Sequence, residues 1–439
     1  MLRVAVIGSG PAGVYAAAAL VARGDAEVDI FERLPCPFGL VRYGVAPDHP
    51  KIKSIASALR KTFEEPGVRF LGNVEVGRDL TGEDLHRHYD AVIHASGAAV
   101  DRRLGIAGED LPGSFSATQF VAWYCGHPDA PLDAFALDSP GVAVIGVGNV
   151  ALDVTRILAK STDELASTDL PDHVLAALGR STVRDIHLVG RRGPAQAKFS
   201  TKELRELGEL AGADVLVDPA DLVLDDADSE LAAAEPAVRR NLDVLGEWAQ
   251  RSPTGRPRRV HVRFRLRPAQ VLGDQFVTGL RLEPTGSGGG LSVEVGMVLR
   301  AVGYRGVPSP GLPFDDDRGV IPSAAGRVLS GGVVVPGEYT AGWIKRGPTG
   351  VIGTNKSDAA ETVASLLQDA AALPAAPERD PAAILALLAS RGVGVVSWDG
   401  WRAIEQAEAD LGRAQGRAAV KIADRATLLD AALGPVART

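Results

Sequence analysis

The chain has 439 residues, 46% of them hydrophobic and 23% charged, with 47 Lys and Arg against 55 Asp and Glu for a net charge of −8. That length exceeds one ordinary core and predicts two domains, or one interrupted by another; the composition excludes a disordered, fibrous or membrane-embedded chain, and the charge gives nucleic-acid binding no global support. Cys36 and Cys125 stand too far apart in sequence to build a disulfide framework, a zinc site or an iron-sulfur ligand set, so no bound metal is expected.

Leu2 to Ile7 reads as a buried strand with no basic or apolar leader ahead of it, which predicts a cytoplasmic protein. Gly8-Ser-Gly10-Pro-Ala12-Gly13 follows, then a helix over Val14 to Ala22, then a strand over Glu27 to Phe31: a βαβ unit. That apolar helix stops at Arg23, well short of a membrane span. Glycines at this spacing allow a tight turn, let the backbone approach a pyrophosphate and seat the helix against the sheet. Glu32 ends the second strand, where a carboxylate accepts hydrogen bonds from an adenosine ribose and repels a 2′-phosphate. The expected ligand is a dinucleotide.

The pattern recurs about 140 residues later, which predicts a second nucleotide-binding domain. Val142 to Ile145 forms a strand, Gly146-Val-Gly148-Asn149-Val150-Ala151 the turn, Val150 to Lys160 a helix, and Asp185 to Val189 the next strand after a longer insert. Here Arg191 and Arg192 stand where the first unit has its acid. Guanidinium forks match phosphate oxygens, so this site is expected to prefer NADP over NAD, leaving FAD for the first.

Residues 211 to 259 turn from acidic to basic and read as helix plus exposed loop. Val262, Phe264 and Leu266 then alternate with Arg263, Arg265 and Arg267, a strand pattern whose arginines are expected on one solvated face. Proline and glycine cluster over 303 to 313 and mark a domain boundary. Beyond them come a strand at Gly332 to Val335, a glycine-rich turn and helix start at 342 to 361, and an alanine-rich tail with Trp398 and Trp401.

Flavoproteins with paired nucleotide domains divide by where the flavin sends its electrons, and the dithiol branch needs two nearby cysteines. Cys36 lies alone between prolines and reads as a small apolar filler. Oxygen, a small organic substrate and an external carrier remain open as acceptors on the residues alone.

Several longer segments resemble the adrenodoxin reductase-like ferredoxin-NADP reductases of mitochondria and actinobacteria. They are Phe38 to Lys53, Gly72 to Gly77, Gly148 to Asp153, Val189 to Pro194, Phe199 to Glu206 and Ala341 to Ile352. Ser200, where that family is expected to carry threonine, and Cys36 are slight departures. The resemblance implies an α/β fold of two Rossmann-like domains, with an NADP-binding domain (104–307) inserted into a discontinuous FAD-binding domain (1–103 and 308–439). It implies that Ala12, Glu32, Leu40 and Val76 contact FAD, with Trp343, Gly350, Val351 and Ile352 around the flavin. Gly148 to Val150, Arg191, Arg192 and Glu203 would hold NADP, and His49 and Glu206 would lie by the contact between nicotinamide and flavin. From the residues alone, His49 sits in a turn-like stretch beside Pro50, while Glu203 and Glu206 share a helix face at i,i+3.

The implied activity is electron transfer between NADPH and an acidic ferredoxin, by a monomer or weak homodimer. Lys202, Arg205, Arg239 and Arg240 are candidates for a basic docking patch. A flavin monooxygenase or oxidase acting on a small molecule is the alternative; a glutamate-synthase-like subunit would need iron-sulfur clusters that two cysteines cannot ligate.

Overall fold

The structure is a computed structural model that describes residues 1–24, 26–286 and 289–434; residues 435–439, at the end of the expected second FAD segment, lie outside it. The chain forms two compact units: Met1–Val100, Cys125–Asp129 and Tyr304–Thr439 make one, and Asp101–Tyr124 with Ala130–Gly303 the other.

The first unit is built on a 7-stranded sheet. Leu2–Ile7 runs parallel to Ala26–Glu32 on one side and Ala91–His94 on the other, and Val68–Gly72 adds beyond Ala26–Glu32. Strands buried on both faces read as continuous apolar runs, which is why Val4, Ala5 and Val6 are fully buried. The Pro11–Val21 helix starts with proline at its first position and buries Ala12, Val14, Ala16, Ala17 and Leu20. It packs on the Thr354–Asp369 helix. The sheet is completed from late in the chain by Val333–Thr340, parallel to Ala91–His94 and antiparallel to Arg327–Ser330.

Glu338 on that late strand is buried between His86 and His94, at 2.8 and 2.6 Å. Burial opposes its charge, but hydrogen bonds from the two imidazoles outweigh burial and hold its pKa down to about 2 from an ordinary 4.5. His86 is raised from 6.5, first by its bond to Glu338. A depressed carboxylate contributes stability that is complete above its unfolded value of 4.5 and is lost as pH falls through about 2. A raised histidine contributes below 6.5 and loses that contribution as pH climbs through its folded value. Glu338→Gln is therefore expected to destabilise most between pH 4.5 and 6.5 and progressively less toward pH 2 in denaturant titrations. A loss independent of pH would contradict this pairing.

Residues 398–421 belong to the first unit and hold its stretches around Phe38, Arg42 and Phe63. Trp398 stacks on Phe63 at 4.7 Å, and Trp401 meets Phe38 edge-on at 6.0 Å. Arg42 lies over the Trp401 ring at 4.9 Å and pairs with Glu408 at 2.5 and 3.1 Å. Lys421 Nζ donates to the Arg42 carbonyl at 2.6 Å. Cys36 is fully buried and unbridged, and burial raises its thiol pKa.

The second unit holds a 6-stranded sheet in the order Ser114–Ser116, Met297–Arg300, Gly141–Ile145, Asp185–Val189, Arg258–Arg263, Ala213–Val217, with every neighbour parallel. Two expectations change here. The segment 211–259 is more than helix and loop: Ala213–Val217 is the edge strand, Asp226–Ala234 and Pro236–Ala249 are helices, and Arg258 begins the next strand. The turn at Thr254–Arg256 is exposed as expected, and Asp214 anchors it by accepting three backbone N–H groups at 2.9 to 3.1 Å.

The arginines after Val262 do not share one solvated face. The chain breaks at Arg265, whose φ of 53° is left-handed. Arg258–Arg263 stays in the parallel sheet, while Leu266–Leu272 starts a separate antiparallel sheet with Gly279–Pro284 and Leu291–Val293. Among the described residues, no helix is long and apolar enough to cross a membrane.

Candidate functional site

Both glycine turns connect a strand to a helix. Gly8 has φ +109°, and a Cβ there would lie 2.5 Å from the Ala95 carbonyl oxygen; one on Gly13 would lie 2.0 Å from the Gly8 oxygen. Neither position accepts a side chain. Gly10 differs, because a Cβ there meets nothing within 4 Å. It caps the Pro11–Val21 helix with no side-chain hydrogen bond, so the electropositive first turn opens onto space that only the lack of a side chain keeps clear.

Three other segments close in on that opening. Gly39, at φ +50°, comes so near that its Cβ would lie 3.1 Å from Gly10 Cα. Phe38 beside it holds a left-handed φ of 80° and donates its N–H to the Ser9 carbonyl at 3.1 Å. Gly342 touches Ala12, where a Cβ would sit 2.5 Å from the alanine methyl. Glu32 is oriented by its own neighbours: one carboxylate oxygen accepts from Ser9 N–H at 3.1 Å and Ser9 Oγ at 2.6 Å, and the other from Leu34 N–H at 3.0 Å. Val74 N–H bonds to the Glu32 carbonyl at 2.9 Å, bringing the turn that carries Val76 to the same strand end.

The structure thus gathers Gly8, Gly10, Ala12, Gly13 and Glu32 with the turns of Leu40, Val76 and Trp343. Trp343 Nε1 donates to the Thr349 carbonyl at 3.1 Å, and Gly350 at φ +83° leaves a Cβ no room beside Thr354. That fixes the turn through Gly350, Val351 and Ile352. Leu40 and Val351 are 40% and 74% exposed, unusual for apolar side chains beside a cradle and suited to covering a flat ring. His49 is buried, heading the short Pro50–Lys53 helix.

The second turn repeats the construction. A Cβ on Gly146, φ +135°, would lie 2.2 Å from the Ala301 oxygen; one on Gly148, which caps the Asn149–Ala159 helix, meets nothing within 4 Å. Ala151 is fully buried under it, and Val150 is half-buried. Asn149 Oδ1 accepts from Ser200 N–H at 2.8 Å, docking the segment that begins the Thr201–Gly208 helix. On that helix Glu203 and Glu206 are both half-buried, and Glu206 lies 3.9 Å from Arg156 and 3.7 Å from Lys202.

Arg191 and Arg192 end the Asp185–Val189 strand, both exposed, and among the described residues neither side chain has a hydrogen bond or ion pair. The electrostatic contrast expected from sequence is therefore physical: an oriented carboxylate beside one cradle, two unengaged guanidiniums beside the other. His49 belongs to the first unit and Glu206 to the second. Gly39, Gly342 and Ser9 were not singled out individually by sequence reasoning, although all three sit in motifs already noted; for the two glycines, a neighbouring aromatic is the available signal.

A family model described as pyridine nucleotide-disulphide oxidoreductase matches residues 2–205. The NADPH-ferredoxin reductase FprA of Mycobacterium tuberculosis is 44% identical, over 98% of this chain and 99% of its own length. The mitochondrial NADPH:adrenodoxin oxidoreductase of Arabidopsis thaliana is 40% identical over 98% of this chain and 95% of its own. The structure of Mycobacterium tuberculosis FprA in complex with NADPH matches with a TM-score of 0.92 at 44% identity, covering 99% of this chain and 100% of that one.

Proposed function

This chain belongs to the adrenodoxin reductase-like ferredoxin-NADP reductases, and from that premise we propose that it binds FAD in its first unit and NADPH in its second and passes electrons to a ferredoxin. The observation that carries the reading is the pair of matching glycine cradles with opposite charge beside them. FAD, when bound, would supply the chemistry that converts two-electron hydride acceptance into single-electron release.

The chain's own residues bind and orient. The first turn of the Pro11–Val21 helix receives the FAD diphosphate, with Gly10 giving it room and Glu32 accepting from the adenosine ribose. Leu40, Val76, Trp343 and Gly350 to Ile352 enclose the remainder of that cofactor. Gly148, Asn149 and Val150 receive the NADPH diphosphate, Arg191 and Arg192 its 2′-phosphate, and Glu203 helps hold the nucleotide. His49 and Glu206 are assigned to the nicotinamide, where they set local charge and ring position; Arg156 and Lys202 hold Glu206 in place.

Lys202, Arg205 and Arg240, on a surface that also carries Glu206 and Glu209, are the basic groups we assign to an acidic carrier. Arg239 is exposed beside them. Two buried, unbridged thiols accord with a cytoplasmic setting.

Stopped-flow mixing tests the reading. NADPH should bleach the yellow protein and do so faster than NADH, and reduced ferredoxin should then appear as the flavin colour returns. Reoxidation that demanded an organic substrate and ignored ferredoxin would overturn it. Gly10→Ala gives the cofactor arm: its methyl enters the cradle with no protein atom within 4 Å, so the variant should fold and purify with its flavin lost or depleted. A variant with full flavin content would refute this placement of the diphosphate.

A further inference from the structure

Arg191 and Arg192 have exposed, unanchored side chains, so their direction depends on what holds their backbone. The turn that carries them rests on a buried carboxylate. Asp228, in the Asp226–Ala234 helix, is completely buried, and its Oδ2 pairs with the Arg265 guanidinium. A Cβ on Gly193 would lie 2.0 Å from that same oxygen, so the backbone directly after Arg192 lies against the carboxylate. Ala195 N–H and the Gln196 side chain also favour its charged form, although burial, with Asp225 second, raises its pKa overall.

Arg265 ties the assembly together from the other side. Its left-handed backbone lets its own N–H donate to the Arg192 carbonyl at 3.1 Å, while its Nη1 reaches the Asp221 carbonyl at 3.1 Å. The adjacent Leu266 N–H bonds to the Gly190 carbonyl at 3.1 Å. Gly190, Arg192 and Gly193 are thus held in turn by Leu266, Arg265 and Asp228, three residues outside the expected nucleotide contacts. The guanidinium also neutralises a carboxylate that would otherwise oppose a phosphate dianion bound at the turn.

We propose that Asp228, locked to Arg265, is a positioning residue that sets the preference for NADPH by holding the Arg191–Gly193 turn. The proposal rests on the reading that Arg191 and Arg192 receive the 2′-phosphate, and it gives a purpose to the acidic helical stretch between the Ala213–Val217 and Arg258–Arg263 strands.

The test is anaerobic calorimetric titration of the FAD-loaded full-length protein, its flavin first reduced with dithionite so that no hydride transfer follows binding, with NADPH, NADH and adenosine 2′,5′-bisphosphate. Asp228→Asn keeps size and removes charge; it should raise Kd for NADPH and the bisphosphate about tenfold and leave NADH within about twofold. Equal weakening of all three ligands, or no change in any, overturns the proposal. Gly193→Ala pushes a methyl onto the carboxylate and should produce the same selective loss, which covers the case in which Asp228→Asn does not fold. Unchanged NADPH binding in Gly193→Ala also overturns it. The double variant Arg191→Ala, Arg192→Ala separates the two ideas. If it lowers the NADPH preference and Asp228→Asn does not, only the role of Asp228 falls; if it leaves the preference intact, the reading of the arginines falls as well.

Discussion

Replacing Arg191 and Arg192 together by alanine lowers kcat/KM for NADPH by about 100- to 1000-fold and leaves that for NADH within about threefold. The magnitude follows from charge-assisted hydrogen bonds worth about 1.5–3 kcal/mol each, two of which amount to at least two decades. The selectivity follows from the absence of other work for these side chains, since among the described residues neither holds another part of the protein. Exposed substitutions of this kind cost little stability. Steady-state kinetics at constant ionic strength provide the measurement, because exposed charges are screened by salt. Equal loss with both nucleotides would mean that the guanidiniums recognise something common to the two.

Glu408→Ala is expected to destabilise the first unit by about 3–5 kcal/mol, the usual consequence of leaving a buried charge without its partner. Arg42 and Glu408 are 9% and 5% exposed in their side chains, so water cannot replace the lost contact. Glu408 also accepts the Ile422 N–H at 2.9 Å, so its removal loosens the C-terminal segment at a second point. Arg42 is two residues from Leu40, and the expected readout is flavin release at lower denaturant concentration with the second unit's unfolding unmoved. Glu408→Gln should lie between, keeping an acceptor for Ile422 but not the charge. A shift below about 1 kcal/mol, the value of an exposed pair, would show that Arg42 finds solvent or another anion.

Both cradles were legible from the chain because their determinants are local. A strand, a glycine turn and a helix lie within about twenty residues in each, with three glycines in the first turn and two glycines and Ala151 in the second, and the sign of the group at the end of the next strand is read directly. The segments around them were less legible. Nothing near Ala213 distinguishes an edge strand from a loop, since its partner Arg258–Arg263 lies across two helices. Arg265 fits an alternating pattern, and only its left-handed φ and its pairing with Asp228 show that the alternation stops there. The tail was opaque for the same reason: Trp398, Trp401 and Glu408 acquire meaning from Phe63, Phe38 and Arg42, more than three hundred residues earlier. Signals carried by pairing between distant residues have no trace in either partner alone.

The strand order of the first unit has a consequence for how the molecule is made. Ala91–His94 leaves the ribosome early, yet its neighbour Val333–Thr340 emerges only after the whole of Asp101–Tyr124 and Ala130–Gly303 has been translated. Until then one edge of the nascent sheet stands open, an invitation to pairing with another chain. The intervening unit needs no such wait, since all six strands of its parallel sheet lie between Ser114 and Arg300. Maturation thus runs from the middle outward, and the compartment begun first is sealed last.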